Sequence, residues 1–184
     1  MNFNKTIQEF QKLGKDVMRD SKAILKKKKK TTKSNSLYSG IDYTVTNYKN
    51  RIAVEWSFGR AQEYWEFVDQ GVRGSGGFKG SGKARGQGSP FRFKKKNIAE
   101  GVVAGWITNK PLRLRNSAGK FVSKTQKNIN SAAFLIGRAI AQRGLSRSLF
   151  FTKPYEKETK KYEKKILQAV ADDLENELEK LIKD

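Results

Sequence analysis

Apolar residues recur along this chain with two different periods, and the changes of period mark out its elements. Over residues 4–30, Ile7, Phe10, Val17, Met18, Ile24 and Leu25 return at three-, four- and seven-residue spacing. That spacing puts them on one stripe of an α-helix. The stripe is narrow and contains Gly14, so the helix needs a partner surface. Over residues 38–58 the period shortens to two. Ile41, Tyr43 and Val45 share one parity and Ile52, Val54, Trp56 and Phe58 another, with residues 47–50 between them, which predicts a β-hairpin. Residues 60–70 (RAQEYWEFVDQ) then predict a short helix with Tyr64, Phe67 and Val68 on one side, stopped by Gly71.

Residues 71–88 hold eight glycines and almost nothing large and apolar, so no core is expected there. Long loops of this kind in compact domains are functional or disordered. Asn97 stands where a helix cap is wanted, with Glu100 in the capping-box position and Ile98, Val102 and Trp106 expected inward; Pro111 ends that helix. Residues 112–124 predict a basic loop or hairpin turning at residues 117–119. A third helix is predicted over residues 127–143, its face formed by Ile129, Ala133, Leu135, Ile136 and Ile140, with Gly144 at the C-terminal stop. A last helix begins near Lys153 and Pro154, proline being favoured in the first turn. Its stripe is Tyr155, Tyr162, Ile166, Val170, Leu174, Leu178 and Leu181. Such a helix suits a surface or an inter-subunit contact, and its spacing allows coiled-coil-like packing. From Tyr162 onward these six residues are the candidate oligomer or partner contacts.

The elements together predict an α+β fold, a small domain with a β-hairpin or sheet packed by helices and flanked by long N- and C-terminal amphipathic helices. The expected division is a basic N-terminal helical arm (residues 1–36), an α+β core (37–151) carrying a Gly/Lys-rich loop (71–90), and a C-terminal helix (152–184). There is no internal repeat and no proline-rich linker.

Composition narrows the chemistry. Among 184 residues 36% are hydrophobic and the mean hydropathy is −0.74, which allows only a small core; eleven Phe, six Tyr and three Trp argue against a disordered chain. Cys and His are both absent. Disulfides, zinc sites, Cys–His pairs and Ser–His–Asp triads are therefore excluded. No apolar run reaches the ~20 residues of a membrane span, and the first ten residues lack an apolar signal core, so secretion by that route is not expected. No metal, no cofactor and no membrane are expected.

Charge changes the picture most. The chain carries +21, of which residues 71–127 supply +13, with fourteen basic side chains against Glu100 alone. Residues 1–33 add +8, residues 34–70 give −2, residues 128–151 give +3 and residues 152–184 give −1. So dense a belt repels itself unless a polyanion lies against it, and sequence-independent attraction to phosphates is the expected partner chemistry. The candidate nucleic-acid-facing residues are Arg73, Lys79, Lys83, Arg85, Arg92, Lys94, Lys95 and Lys96. The run Lys26, Lys27, Lys28, Lys29 and Lys30 reads either as a phosphate-contacting arm or as a solvated helix end.

Other motifs weigh less. Residues 77–83 (GFKGSGK) fit GxxxxGK, but Ala84 stands where magnesium ligation needs Ser or Thr, and no apolar strand precedes the loop. Glu63, Glu66 and Asp69 recur at i, i+3 and i+6, read as solvated charges or partners for cations, or as the carboxylates a small nuclease would need. Phe78, Phe91 and Phe93 interleave with cations and suit stacking on single-stranded bases, although the alternation Phe91, Arg92, Phe93 also fits a strand packed into the core.

The order of these motifs resembles a known family. The pattern runs Tyr64, Phe67, Val68, Gly71, then Pro90, Ile98 and Trp106, then Ala133, Phe134, Ile136, Arg138, Ile140 and Gly144, followed by Phe150 and Phe151. Over about residues 40–182 this resembles the head–tail connector, neck or tail-completion ring proteins of tailed bacteriophages, of the type found in phages of Bacteroidetes, including crAss-like phages. The loop here is longer and more basic than the family pattern, and the N-terminal lysine helix is an addition. The resemblance implies a small α+β domain and a ring of six or twelve copies. It implies contacts with portal and other neck or tail proteins, non-specific contact with genomic DNA, and no catalysis. The expected location is the virion neck or tail, after synthesis in the host cytoplasm. The alternative reading is a sequence-non-specific nucleic-acid-binding protein packaged in the virion.

Overall fold

The computed structural model describes residues 3–28, 37–49, 51–77, 83–109 and 112–183. The fold is mixed helix and strand, 58% helical and 14% strand among the described residues, with long N- and C-terminal helices flanking a small hairpin region, which is the α+β class expected from its two periods. It divides into two compact units, one made of Met1–Asp69 with Ser148–Asp184 and the other of Gln70–Arg147. This grouping differs from a central core with two appended helices, because the terminal helices pack on each other and on the hairpin.

In the first unit, helix α1 (Asn4–Lys27) lies against helix α6 (Thr152–Lys183). The pair runs antiparallel, since Thr6 meets Asp173 while Asp20 meets Lys157. Leu13, Val17 and Tyr162 are buried between them, with Phe10, Trp56, Phe151 and Ile166 packed alongside. The narrow stripe of α1 thus finds its partner within the chain. A short helix α2 (Leu37–Gly40) leads into strands β1 (Asp42–Tyr48) and β2 (Arg51–Ser57), an antiparallel pair in the register Tyr43↔Trp56 and Val45↔Val54. Gly14 allows the hairpin to reach α1. A Cβ there would sit 2.3 Å from the Tyr43 ring, whose hydroxyl donates to the Gln11 carbonyl at 3.0 Å.

Helix α3 (Trp65–Gln70) is shorter than the pattern predicts, because residues 59–61 form a 3₁₀ turn ahead of it. The phase shifts accordingly. Tyr64 and Val68 do pack on a core of Leu25, Leu37, Ile41, Phe58, Ala61 and Phe150, but Trp65 takes the place expected of Phe67, which is 42% exposed. Trp65 stacks on Phe58 with ring centroids 4.2 Å apart and planes 8° apart, and Phe151 meets both rings edge-on.

In the second unit, helix α4 (Glu100–Thr108) packs on helix α5 (Gln126–Arg143). Strand β3 (Val72–Arg73) precedes them, strands β4 (Leu114–Arg115) and β5 (Phe121–Val122) form a hairpin between them, and β6 (Gly144–Leu145) follows. The core is Val103, Ile107, Leu114, Ile129 and Ala133. Two expectations fail here. Val102 and Trp106 are exposed, and Val103 and Ile107 face inward instead. Both pairs have the same i, i+4 spacing, so the pattern alone does not choose between adjacent faces. On α5, Leu135 is likewise exposed, since the buried face follows Ile129, Ala133 and Gly137. The caps also differ from expectation: Ala99, not Asn97, precedes α4, and no side chain caps it, whereas the Thr125 hydroxyl caps α5 by accepting from Asn128 N. Pro111 lies outside the described residues.

Candidate nucleic-acid interface

Charge separates between the units. Residues 70–147 carry seventeen Lys and Arg against Glu100 alone, a net +16, whereas the other unit carries twenty-two basic and seventeen acidic residues, a net +5. In that first unit many cations serve the helix pair. Lys161 Nζ lies 2.9 Å from Asp16 and 3.0 Å from Glu158, and Lys157 Nζ lies 2.8 Å from both Asp20 and Glu158. The Lys161 hydrogen bond holds the Asp16 carboxyl below its ordinary range, and Lys157 does the same for Asp20 and Glu158. The two lysines are raised in return, chiefly by Asp16 and Asp20.

The glycine-rich segment of the second unit is not a simple excursion. An α-helix leaves its last four carbonyls without helical partners. In α5 all four are taken: Ile140 accepts from Gly144 N, Ala141 from Ser75 N at 2.9 Å, Gln142 from Gly76 N at 3.2 Å, and Arg143 from Arg85 N at 2.7 Å. Both flanks of the loop therefore cap one helix end. Residues 71–77 and 83–89 join none of the apolar clusters of either unit, but their backbone is fastened to the end of α5. Side-chain size would oppose this packing but backbone polarity drives it. Gly74 shows the constraint most sharply, since a Cβ there would lie 2.0 Å from the Gln142 carbonyl oxygen. Gly86 is held at φ +67 against Val72, where a side chain would be both strained and obstructed.

On this frame Arg73 sits between two neighbours. It pairs with Gly144 across the β3–β6 ladder and bridges to Arg92 in parallel, donating to the Phe91 carbonyl at 2.8 Å and accepting from Phe93 N at 2.9 Å. Arg92 Nη2 reaches the Ser75 carbonyl at 3.4 Å. Of the candidate phosphate-facing residues, Arg73, Lys83, Arg85, Arg92, Lys94, Lys95 and Lys96 are all exposed, and Lys79 lies outside the described residues. Phe91 and Phe93 are half-buried, and Phe78 is not described. In the lysine run, Lys26, Lys27 and Lys28 are exposed, and Lys28 Nζ donates to the Ser148 carbonyl at 2.8 Å; Lys29 and Lys30 fall outside the described residues.

The partner stripe of α6 splits in two. Tyr162 is buried and Ile166 half-buried in the apolar cluster of the helix pair, so these two are engaged inside the chain, and Val170 is half-buried beyond them. Leu174, Leu178 and Leu181 are exposed, the last two at 60% and 70%.

Two weaker motifs separate from the site. No helix begins after Lys83 until Glu100, so the GxxxxGK match lacks the helix N-terminus that would hold a phosphate. Among the three carboxylates, Glu63 and Glu66 are solvent-exposed, but Asp69 is fully buried, which corrects its reading as a solvated charge. Asp69 accepts from Phe151 N at 2.8 Å, from Thr152 N at 3.4 Å and from the Thr152 hydroxyl, placing an anion at the start of α6. Among the described residues no group of three or more Asp or Glu is arranged to hold a metal ion. The role of Asp69 was invisible in sequence because its partners lie more than eighty residues away. The capping of α5 by the loop was hidden because backbone donors leave no compositional signal. Comparison of the chain with protein-family models, with curated proteins and with solved structures returns no match.

Proposed function

We propose that this protein is a structural subunit of the virion of a tailed bacteriophage, part of a neck or tail ring that joins portal to tail and lines the path of the DNA. The observation that carries the DNA-facing part is the +16 unit, most of whose described cations stand exposed, with only Glu100 as an acidic residue in the same unit. A duplex offers one phosphate about every 1.7 Å of its axis, and exposed Lys and Arg neutralise it without reading sequence. In a ring of six or twelve copies that charge is multiplied around the channel. The ring itself is supported by the resemblance in motif order and by the exposed Leu174, Leu178 and Leu181 on α6, which suit contact with a neighbouring subunit or the portal. The reading needs no cofactor, metal or catalysis.

Electron microscopy of purified virions is expected to place the protein in a symmetric ring at the portal vertex. Absence from the virion, or a location only within the capsid interior, overturns the proposal. The second reading, a packaged non-specific nucleic-acid binder, is favoured by the exposed lysines closing α1. It differs in requiring tight DNA binding by an isolated monomer or dimer.

A further inference from the structure

The hairpin of β4 and β5 was not among the candidate phosphate-facing elements, yet it holds two cations of the basic unit over one aromatic ring. The ladder pairs Leu114 with Val122 and Arg115 with Phe121. Leu114 and Val122 pack on the core, so the alternate positions face outward. Phe121 is 56% exposed on that outer face. The Arg115 guanidinium lies over its ring at 4.2 Å from the centroid and that of Arg113 at 5.6 Å. Arg115 Nη1 also donates to the Gly119 carbonyl at 3.1 Å.

The turn that carries them is tightly built. Asn116 N donates to the Lys120 carbonyl at 2.9 Å, Gly119 N to the Asn116 carbonyl at 3.0 Å, and Lys120 N to Asn116 Oδ1 at 3.0 Å. The sequence contains no acidic residue between Glu100 and Glu156. Stacking on an aromatic ring uses the face of a guanidinium and leaves its N–H edge outward, the edge that grips phosphate bidentately. Fixing the side chain beforehand also removes part of the rotamer entropy that a free arginine loses on binding.

We propose that the β4–β5 hairpin is a second nucleic-acid contact, in which Arg113 and Arg115, held by Phe121, grip consecutive phosphates of duplex DNA. This rests on the DNA-facing reading of the basic unit and names a part of it. The contact is to backbone, so it is blind to sequence.

The test is binding of the full-length protein to a fluorescent duplex, followed by anisotropy over a range of salt concentrations. Removing one cation that neutralises a phosphate makes the slope of log affinity against log salt shallower by about 0.9. The R113Q/R115Q variant is expected to lose about 1.8 from the slope and on the order of ten- to a hundredfold in affinity at low salt. F121L, which keeps the apolar bulk but removes the ring, is expected to keep the slope and weaken binding a few-fold. R113Q alone, outside the hydrogen bonds of the turn, should lose about half the double variant's slope change and guards against misfolding of the hairpin. If R113Q/R115Q matches the wild-type slope while K94Q/K95Q/K96Q is shallower, the hairpin assignment is overturned and the DNA-facing reading stands. If R113Q/R115Q fails to assemble into oligomers with DNA binding intact, the two arginines meet acidic protein groups and the assignment is likewise overturned. Wild-type protein without salt-dependent binding defeats both.

Discussion

Lys157 and Lys161 each bridge two carboxylates across or along the helix pair, and Asp16, Asp20 and Glu158 are held ionised in return. In residues 70–147 seventeen cations share a unit with Glu100 alone. The first unit places its charges where they join two helices. The second assigns its cohesion to glycine backbone and a small apolar core, leaving most of its charge without a carboxylate in the same unit. Charge that folding does not neutralise can answer to something outside the chain. That difference, more than the total of +21, is what makes the second unit the candidate interface.

The contrast can be broken most directly at Gly74. Gly74→Ala puts a Cβ onto the Gln142 carbonyl, which backbone alone cannot avoid, and is expected to destabilise the basic unit by roughly 3 kcal/mol. Hydrogen exchange read by peptide should show residues 70–147 opening while residues 4–27 stay protected. Uniform loss of protection across both units would mean that they do not hold together separately. In the first unit, Asp69→Ala leaves Phe151 N and Thr152 N without their acceptor and should cost about 2 kcal/mol, measured by thermal or denaturant unfolding. An unchanged midpoint would mean that Asp69 does not help α6 to begin.

A smaller effect is expected from acid. Asp16, Asp20 and Glu158 are depressed in the folded chain, so the stability they contribute is present above their unfolded values near pH 4 and is lost as pH falls through the folded ones. Circular dichroism melts should therefore decline below about pH 4, and hydrogen exchange should locate the decline in α1 and α6. Equal or greater acid sensitivity in residues 70–147, which contain one carboxylate, would contradict that division of roles between the units.

Much of this organisation was legible in the chain. The period of two in residues 41–58 gave the hairpin, and the stripe from Tyr162 to Val170 gave the helix that meets α1. Errors came where a pattern was degenerate. Val102 and Trp106 repeat the spacing of Val103 and Ile107 one residue away, and only the packing of α5 distinguishes the two faces. Phe67 was misplaced because the 3₁₀ turn at residues 59–61 resets the helical phase, and no residue announces that reset. In the candidate interface, exposure of Arg73, Arg92 and the three lysines followed from charge alone. The stacking of Arg113 and Arg115 on Phe121 did not, because it depends on a cross-strand register that two-residue strands barely specify.

The way residues 75, 76 and 85 meet Ala141, Gln142 and Arg143 has a further consequence for how this segment can vary. Its departure and return points are fastened to three successive carbonyls, so its ends stay together whatever length of chain joins them. Doubling the intervening length would add only about 0.6 kcal/mol of closure entropy. Insertion of a reporter peptide or of extra lysines between residues 77 and 83 should thus be nearly neutral for the fold, making that span the natural place for reach and charge to be retuned without redesigning the body that bears it.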